Sequence, residues 1–337
     1  MEESFAIFRE ANHAHVKICK GNLALLQSNW NMNHIPSGYL ISPWAKANEI
    51  FQIQGEIETY DLEELESFLE GQNLNLEISG QDSTAFEAFS NEVLLIQNEI
   101  SLGHLEKVVA SRILTEEEGF NISKISNWFR NLINEHQSAL VSLVYTPTFG
   151  LWIGASPETL IQLEVNELTT MSLAGTLTKE NDQWSNKEKL EQSVTTKFIL
   201  EILNKLGFLA PLDTEIIESK SGKLRHLQSV FKVKINPELI SEILIDFSPT
   251  PAVGGYPKEK AVQWINDHED FQRELFAGFW GPKYNTTLNL NVNLRCAKIT
   301  QNKQLFYAGC GINLGSEVLN EWNETSAKMK VTSDFRN

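Results

Sequence analysis

Cysteine is scarce: Cys19, Cys296 and Cys310 are the three in 337 residues. They stand far apart, so neither a disulfide framework nor a zinc knuckle is encoded, and the thiols are expected to stay reduced. Positive charge is also short. Against 44 Asp+Glu there are 28 Lys+Arg, a formal net charge of −16. Nucleic-acid backbones and anionic lipid are held by clustered Lys and Arg, so no nucleic-acid or membrane partner is expected. No run approaches the roughly 20 apolar residues of a membrane span. The start, MEESFAIFREANH, has neither the basic nor the apolar segment of a secretory signal. There is no Pro/Gly/Ser linker, low-complexity run, repeat, Walker sequence or dinucleotide GxGxxG, and a nucleotide cofactor is not indicated. What remains is a cytoplasmic globular chain, 42% hydrophobic and 21% charged, long enough for a large core. One domain over residues 1–337 is expected, and a monomer is the default. If so acidic a chain binds an anion, it does so against its own mean field.

The patterns that are present mix helix and strand. Phe86, Phe89, Val93, Ile96 and Ile100 recur at spacings of three and four, which predicts an amphipathic helix capped by Asp82 or Ser83. Lys107–Leu114 is β-branched and strand-like. A helix from Ser123 to His136 and strands over Ala139–Tyr145 and Gly150–Ala155 follow. Residues 286–299 alternate strictly: Leu288, Leu290, Val292 and Leu294 share one face, and Thr287, Asn289, Asn291, Asn293 and Arg295 the other. That polar face is either a solvated sheet face or the lining of a wet cavity. Strands in runs, with single helices between them and no regular βαβ order, predict an α+β fold. It should be a large single domain of mostly antiparallel sheets with helices packed outside.

Two helices carry carboxylates at i, i+3 spacing. In the segment Asn186–Leu206, Leu190, Val194, Phe198, Ile202 and Leu206 form an apolar stripe, with Glu188, Glu191 and Thr195 on another face. In Glu317–Met329, Val318, Trp322, Thr325 and Met329 form one stripe, and Glu317, Glu321, Glu324 and Lys328 another. Acidic stripes are ordinarily solvated faces. On facing helices, however, such carboxylates make a site for a hard cation such as Mg²⁺, which takes oxygen ligands. Two glycine-bearing segments complete the pattern. Pro249–Val262 runs a Gly254-Gly255 hinge into a helix with Pro257 in its first turn, and Tyr307–Ile312 offers close backbone approach.

Taken in order, Lys107-Val-Val-Ala-Ser-Arg112, Ala155-Ser-Pro-Glu158, Leu173-Ala-Gly-Thr176, Pro249–Gly255, Leu294-Arg-Cys-Ala297, Tyr307–Ile312 and Glu321-Trp-Asn-Glu-Thr325 resemble the motifs of the chorismate-utilising enzymes. These include the isochorismate, salicylate, anthranilate and aminodeoxychorismate synthases. The resemblance spans about residues 85–332, and about 1–80 correspond to the family's variable amino-terminal part. Lys107, Ala174 and Pro249-Thr-Pro-Ala252 bring the chain nearest to isochorismate synthases, which feed menaquinone and siderophore synthesis. The departures are Ser248 where a histidine is common, and Gln192 and Lys197 around the first metal carboxylate.

What the resemblance implies is concrete. Chorismate, a dicarboxylate, would gain water at one ring carbon and lose its C4 hydroxyl. Lys107 would activate the water, which requires a lowered pKa, and Glu158 would protonate the leaving hydroxyl. Glu191 and Glu324 would bind Mg²⁺, with Glu188 and Glu321 as outer partners. Arg295 and Lys328 would neutralise a substrate carboxylate. Gly175, Thr176, His226, Thr250, Ala252 and Gly309 would complete the substrate contacts. The alternatives are a salicylate or aminodeoxychorismate synthase of the same fold, or a chorismate-binding protein without turnover.

Overall fold

The computed structural model describes residues 3–27, 30–177, 183–208, 216–221 and 224–336; Met1 and Glu2 of the acidic start lie outside these. Its strands are β1 (Ser4–Arg9), β2 (Lys17–Leu25), β3 (Gly38–Ser42), β4 (Phe51–Gln54), β5 (Ile57–Thr59), β6 (Lys107–Glu116), β7 (Leu140–Thr146), β8 (Gly150–Ser156), β9 (Thr159–Glu164) and β10 (Glu167–Leu177). They continue as β11 (Ile217–Ser221), β12 (Leu224–Lys234), β13 (Gly255–Tyr256), β14 (Phe279–Lys283), β15 (Thr287–Val292), β16 (Cys296–Ile299) and β17 (Gln304–Ile312). The helices are α1 (Leu65–Glu70), α2 (Phe86–Ser101), α3 (Ile122–Glu135), α4 (Asn186–Lys205), α5 (Ile240–Phe247), α6 (Lys258–His268) and α7 (Val318–Ser333).

Every described ladder is antiparallel, and the strands form two sheets that share β2. One runs β5-β2-β1-β7-β8-β16-β17-β6-β13. The other runs β2-β4-β3-β14-β15-β9-β10-β12-β11. Residues 17–21 of β2 pair with β1, and residues 22–25 turn away to pair with β4. The mixed architecture expected from the patterning is therefore the observed one. None of the described helices is long and apolar enough to cross a membrane.

Strand periodicity sorts the core. In β1 all six residues are buried, Phe5 and Ile7 in a cluster with α1 and α3, Ala6 and Phe8 in the larger cluster toward the second sheet. Each such fully buried aliphatic or aromatic side chain contributes about 1.5–3 kcal/mol relative to exposure. Ile125, Trp128, Phe129, Leu132 and Ile133 of α3 face that first cluster, and Asn121 caps the helix by accepting from Lys124 N at 3.0 Å. The segment before residue 80 is thus woven into both sheets.

Three expectations need correction. The helix expected from Ser83 begins at Phe86, behind an uncapped Ala85. Ser83 Oγ instead accepts from Thr115 N at 2.8 Å, and Thr84 Oγ1 from Ile113 N at 3.0 Å. The hydroxyl offered as a cap, that of Ser83, is spent on the edge of β6. The single strand over 286–299 is two strands in different sheets. The chain crosses between them at Asn293–Arg295, where Arg295 takes φ +50°. Asn293 therefore leaves the polar face and donates from Nδ2 to Leu275 O at 2.9 Å, buried. Pro257 precedes α6 in an extended conformation rather than lying within its first turn.

Candidate active site

A cleft with a cavity volume of about 80 Å³ opens where the two sheets meet. It collects residues from far apart in sequence: Lys107 and Val109 of β6, Pro157 and Glu158 after β8, Leu173–Thr176 of β10, Glu191 of α4, His226 of β12, Ala252 and Val253, Phe276, Leu294 and Arg295 at the sheet crossing, Tyr307–Gly309 and Gly311 of β17, and Lys328 of α7. Of the residues singled out from sequence, Lys107, Glu158, Gly175, Thr176, Glu191, His226, Ala252, Arg295, Gly309 and Lys328 line it. Glu188, Glu321 and Glu324 line an adjoining groove of about 400 Å³, which shares Thr176 with the cleft. Thr250 lines neither: buried, it accepts from Val253 N at 3.1 Å and Gly254 N at 2.9 Å and so shapes the loop that presents Ala252 and Val253. Asn289 and Asn291 line a separate polar groove outside the cleft.

Lys107 and Glu158 are 2% and 3% exposed. Burial lowers the lysine's pKa, against the attraction of Glu191 and with the help of Lys328. Burial likewise pushes the Glu158 carboxyl up to about 8, in spite of Lys107, Lys328 and Arg295. Both shifts favour neutral forms, which is what a base and an acid working at neutral pH require.

Arg295 is anchored from behind. Thr332 Oγ1 donates to its carbonyl at 2.7 Å. Its Nη2 lies 2.7 Å from His226 Nε2, and His226 Nδ1 lies 3.1 Å from Gly175 O. A guanidinium only donates, so Nε2 accepts and the proton of a neutral imidazole sits on Nδ1, donated to Gly175 O. Burial and Arg295 both keep His226 well below its usual pKa, in agreement with that neutral tautomer. His226 thus orients the arginine. Gly175 takes φ +70°, and a Cβ there would lie 2.9 Å from Glu188 Cβ, so β10 and α4 approach this closely through glycine alone.

Each carboxylate stripe is buried only in part: Glu317 is exposed, and Glu188 and Glu324 are half-buried. Glu191 is 6% exposed and Glu321 fully buried, on the packed side of their helices together with Thr195 and Thr325, whereas Leu190 of the expected apolar stripe points outward. Glu188 closes a capping box at the start of α4, accepting from Ser185 N at 2.8 Å. Lys328 donates to Gly309 O at 2.8 Å and pairs with Glu324 Oε1 at 2.8 Å. Burial would raise Glu324, but Lys328 and Lys187 hold it below the usual carboxylate range.

Lys187 escaped the sequence reading. Its Nζ lies 2.7 Å from Glu321 Oε1, 3.5 Å from Glu191 Oε1 and 3.6 Å from Glu324 Oε2. Glu321 Oε2, buried, has no hydrogen-bond partner of normal geometry. No group of three acidic, His or Cys side chains among the described residues is set to hold a metal as it stands. The donors suit a hard cation nonetheless: all are carboxylate oxygens, and one is buried without a hydrogen bond.

Other residues support the cleft from outside. Arg273 is buried, bonds Val253 O at 2.8 Å and Val109 O at 2.9 Å, pairs with Glu269 and stacks over Trp44. It locks the 249–255 loop to β6. Arg112 bonds Thr325 Oγ1 at 2.7 Å and stacks 3.7 Å from the Trp322 ring, which fixes the rotation of α7. Of the departures, Gln192 is buried, accepting from Ala174 N at 3.0 Å and donating to Ser172 Oγ at 2.7 Å. Lys197 is exposed beside Glu106 and Glu201, and Ser248 ends α5.

Paired antiparallel sheets, a buried lysine and carboxyl across one cleft, an oriented arginine and a carboxylate cluster at the cleft's margin describe an α+β protein equipped for acid–base work on a small anionic molecule. The chain belongs to the chorismate-binding enzyme family: the family model described as chorismate binding enzyme matches residues 33–334. It is 31% identical to isochorismate synthase EntC of Escherichia coli K12 over 197 residues, 54% of this chain and 50% of that protein. It is 28% identical to the vibriobactin-specific isochorismate synthase of Vibrio cholerae over 268 residues, 74% and 66% of the two. The matches thus span about half to two thirds of these curated relatives' length. In fold it is similar to MenF, the menaquinone-specific isochorismate synthase of E. coli, with TM-score 0.79 and 19% identity over 99% of this chain and 89% of that one.

Proposed function

We propose that the protein is an isochorismate synthase, converting chorismate to isochorismate with Mg²⁺. The observation that carries this reading is the burial of Lys107 and Glu158 in one cleft with pKa shifts of opposite sense, lysine down and carboxyl up. Lys107, neutral, takes a proton from the attacking water, and Glu158, protonated, gives one to the departing C4 hydroxyl, so the enolpyruvyl group is retained. Arg295, oriented by His226, pairs with a substrate carboxylate through its planar fork. Leu173, Val109, Phe276 and Tyr307 exclude water from around the ring. Glu191 and Glu324, with Glu321 beside them, would hold Mg²⁺. When bound, the cation supplies polarisation of a substrate carboxylate and charge neutralisation.

Chromatography of the products from chorismate tests this directly. Isochorismate should form with Mg²⁺, should not form in EDTA, and should not be replaced by an aminated product when ammonia is added. Release of pyruvate would assign the chain to the salicylate-forming branch, and an aminated product that keeps the enolpyruvyl group would assign it to the aminodeoxychorismate-forming branch. Binding of chorismate without any product would leave a chorismate-binding protein.

The protonation states set a pH dependence. Glu158 must be protonated, and its pKa is raised to about 8, so the rate should fall above that pH as the proton is lost. Lys107 must be neutral, so the rate should also fall in acid, below the lysine's lowered pKa. A Glu158→Gln variant should be slower by about 10²-fold and should lose the alkaline limb of kcat. Retention of that limb would assign it to another group.

A further inference from the structure

We infer that Lys187 is a built-in counter-cation of the carboxylate cluster, one that the incoming divalent cation must displace. The inference rests on the metal-dependent reading above and concerns what the chain does before metal arrives.

Three carboxylates from two helices, Glu191 of α4 and Glu321 and Glu324 of α7, are drawn around one ammonium at 2.7–3.6 Å. Without that charge they would repel one another in a poorly solvated place, since Glu321 is fully buried and Glu191 is 6% exposed. Lys187 has two features that suit a temporary occupant. It is the fourth residue before Glu191 on the same helix, so its long stem reaches the cluster from α4's first turn without any backbone change. It also lines the outer groove with Glu188 and Glu324, which leaves its ammonium a hydrated place to go. A hard cation takes oxygen ligands at about 2.0–2.1 Å and cannot share these oxygens with an ammonium. Binding therefore costs the lysine's ion pairs, and the apparent metal affinity is weakened by that amount.

In function, the lysine would keep the two helices together when no metal is bound. It would also make the metal readily exchangeable, and it would be an active-site group that changes place with loading.

Calorimetric titration of the substrate-free protein with Mn²⁺, together with lysine acylation mapped by mass spectrometry, tests this without any turnover. Wild type should bind Mn²⁺. Lys187 should be protected from acylation in EDTA and become reactive when Mn²⁺ is saturating. Lys187→Met should bind Mn²⁺ at least tenfold more tightly than wild type and, in EDTA, unfold at a lower temperature. Lys187→Arg, which keeps the charge, should bind Mn²⁺ no more tightly than wild type. If wild type binds Mn²⁺ while Lys187 stays equally protected, or if Lys187→Met binds no more tightly, displacement is wrong and the metal-dependent reading stands. If wild type does not bind Mn²⁺ at all, both fall together.

Discussion

A Lys107→Ala variant is expected to convert chorismate about 10³-fold more slowly than wild type, with KM changed by no more than about threefold. The split follows from where Lys107 stands. It begins β6 with its backbone paired to Tyr256, and its side chain is enclosed by Val109, Gly311 and Glu191. The groups available to pair with a substrate dianion are elsewhere, chiefly Arg295, with Lys328 at the α7 side. Removal of the amine takes away the proposed base and leaves the proposed binding groups in place. Stability should not suffer, because a buried lysine amine is costly in the folded protein and alanine continues the strand. Lys107→Arg should be as inactive as Lys107→Ala, since a guanidinium does not give up its proton at neutral pH. Single-turnover conversion followed by chromatography, with substrate binding measured separately, checks the pair of variants. Turnover within tenfold of wild type in Lys107→Ala would remove Lys107 from the role of base.

Much of this site could be read in the chain because its motifs are local. Lys107, Glu158, Gly175 and Arg295 each sit beside recognisable neighbours, and the fold brings those segments to one cleft. Patterning also found helices α2, α3, α4 and α7 and strands β6, β7 and β8, because burial on one face imposes spacing. What escaped has a physical reason in each case. Leu173 and Phe276 line the cleft, yet an apolar residue facing a ligand is indistinguishable in sequence from one facing the core. Arg273 acts through Val109 and Val253 carbonyls more than 15 residues away, contacts that no spacing encodes. Lys187 lies in a polar first turn with no motif beside it, and only the position of α7 reveals three carboxylates around it. Period-two alternation continued smoothly through Asn293 and Arg295, but the chain changes sheet there, and a positive φ at Arg295 leaves no mark on hydrophobic pattern. Ser83 was a plausible cap until β6 claimed its hydroxyl.

The acidity of the chain also takes a different meaning. A net charge of −16 coexists with a cleft that gathers Lys107, Arg295 and Lys328, because Glu191, Glu321 and Glu324 are bound into ion pairs at its margin. The local balance, not the mean field, decides whether a dianion is held. Salt should accordingly have a modest effect on the association rate, as the pairs involved are short and partly buried.

Gly311→Ala, a change of one methyl group, is expected to lower kcat by about 10²-fold or more, an effect second only to loss of the base. Gly311 lies on β17 opposite Val109, in extended backbone that alanine adopts freely. The obstacle is steric. A Cβ at this position would lie 2.6 Å from Lys107 Cε, 2.9 Å from Glu191 Oε2 and 3.1 Å from Glu191 Cδ. The glycine is therefore the gap into which Lys107, the proposed base, and Glu191, a proposed metal ligand, both reach, and a methyl group there forces them apart. Because both obstructing groups are the far ends of long side chains, they can move while the sheet stays intact. Thermal unfolding should change by only a few degrees, Mn²⁺ affinity should fall by about tenfold, and turnover should collapse. Gly309→Ala is the contrasting variant. Its Cβ would lie 2.7 Å from Ser111 Oγ, 2.8 Å from Val109 Cγ1 and 3.2 Å from the Ala110 carbonyl oxygen, a close-packed stretch of strand that has less room to yield. That variant should lose stability as well as activity. Comparison of kcat, Mn²⁺ affinity and melting temperature for the two glycines separates displacement of catalytic groups from damage to the sheet. Full activity in Gly311→Ala would show that Lys107 and Glu191 can part without consequence, which contradicts the roles assigned to both.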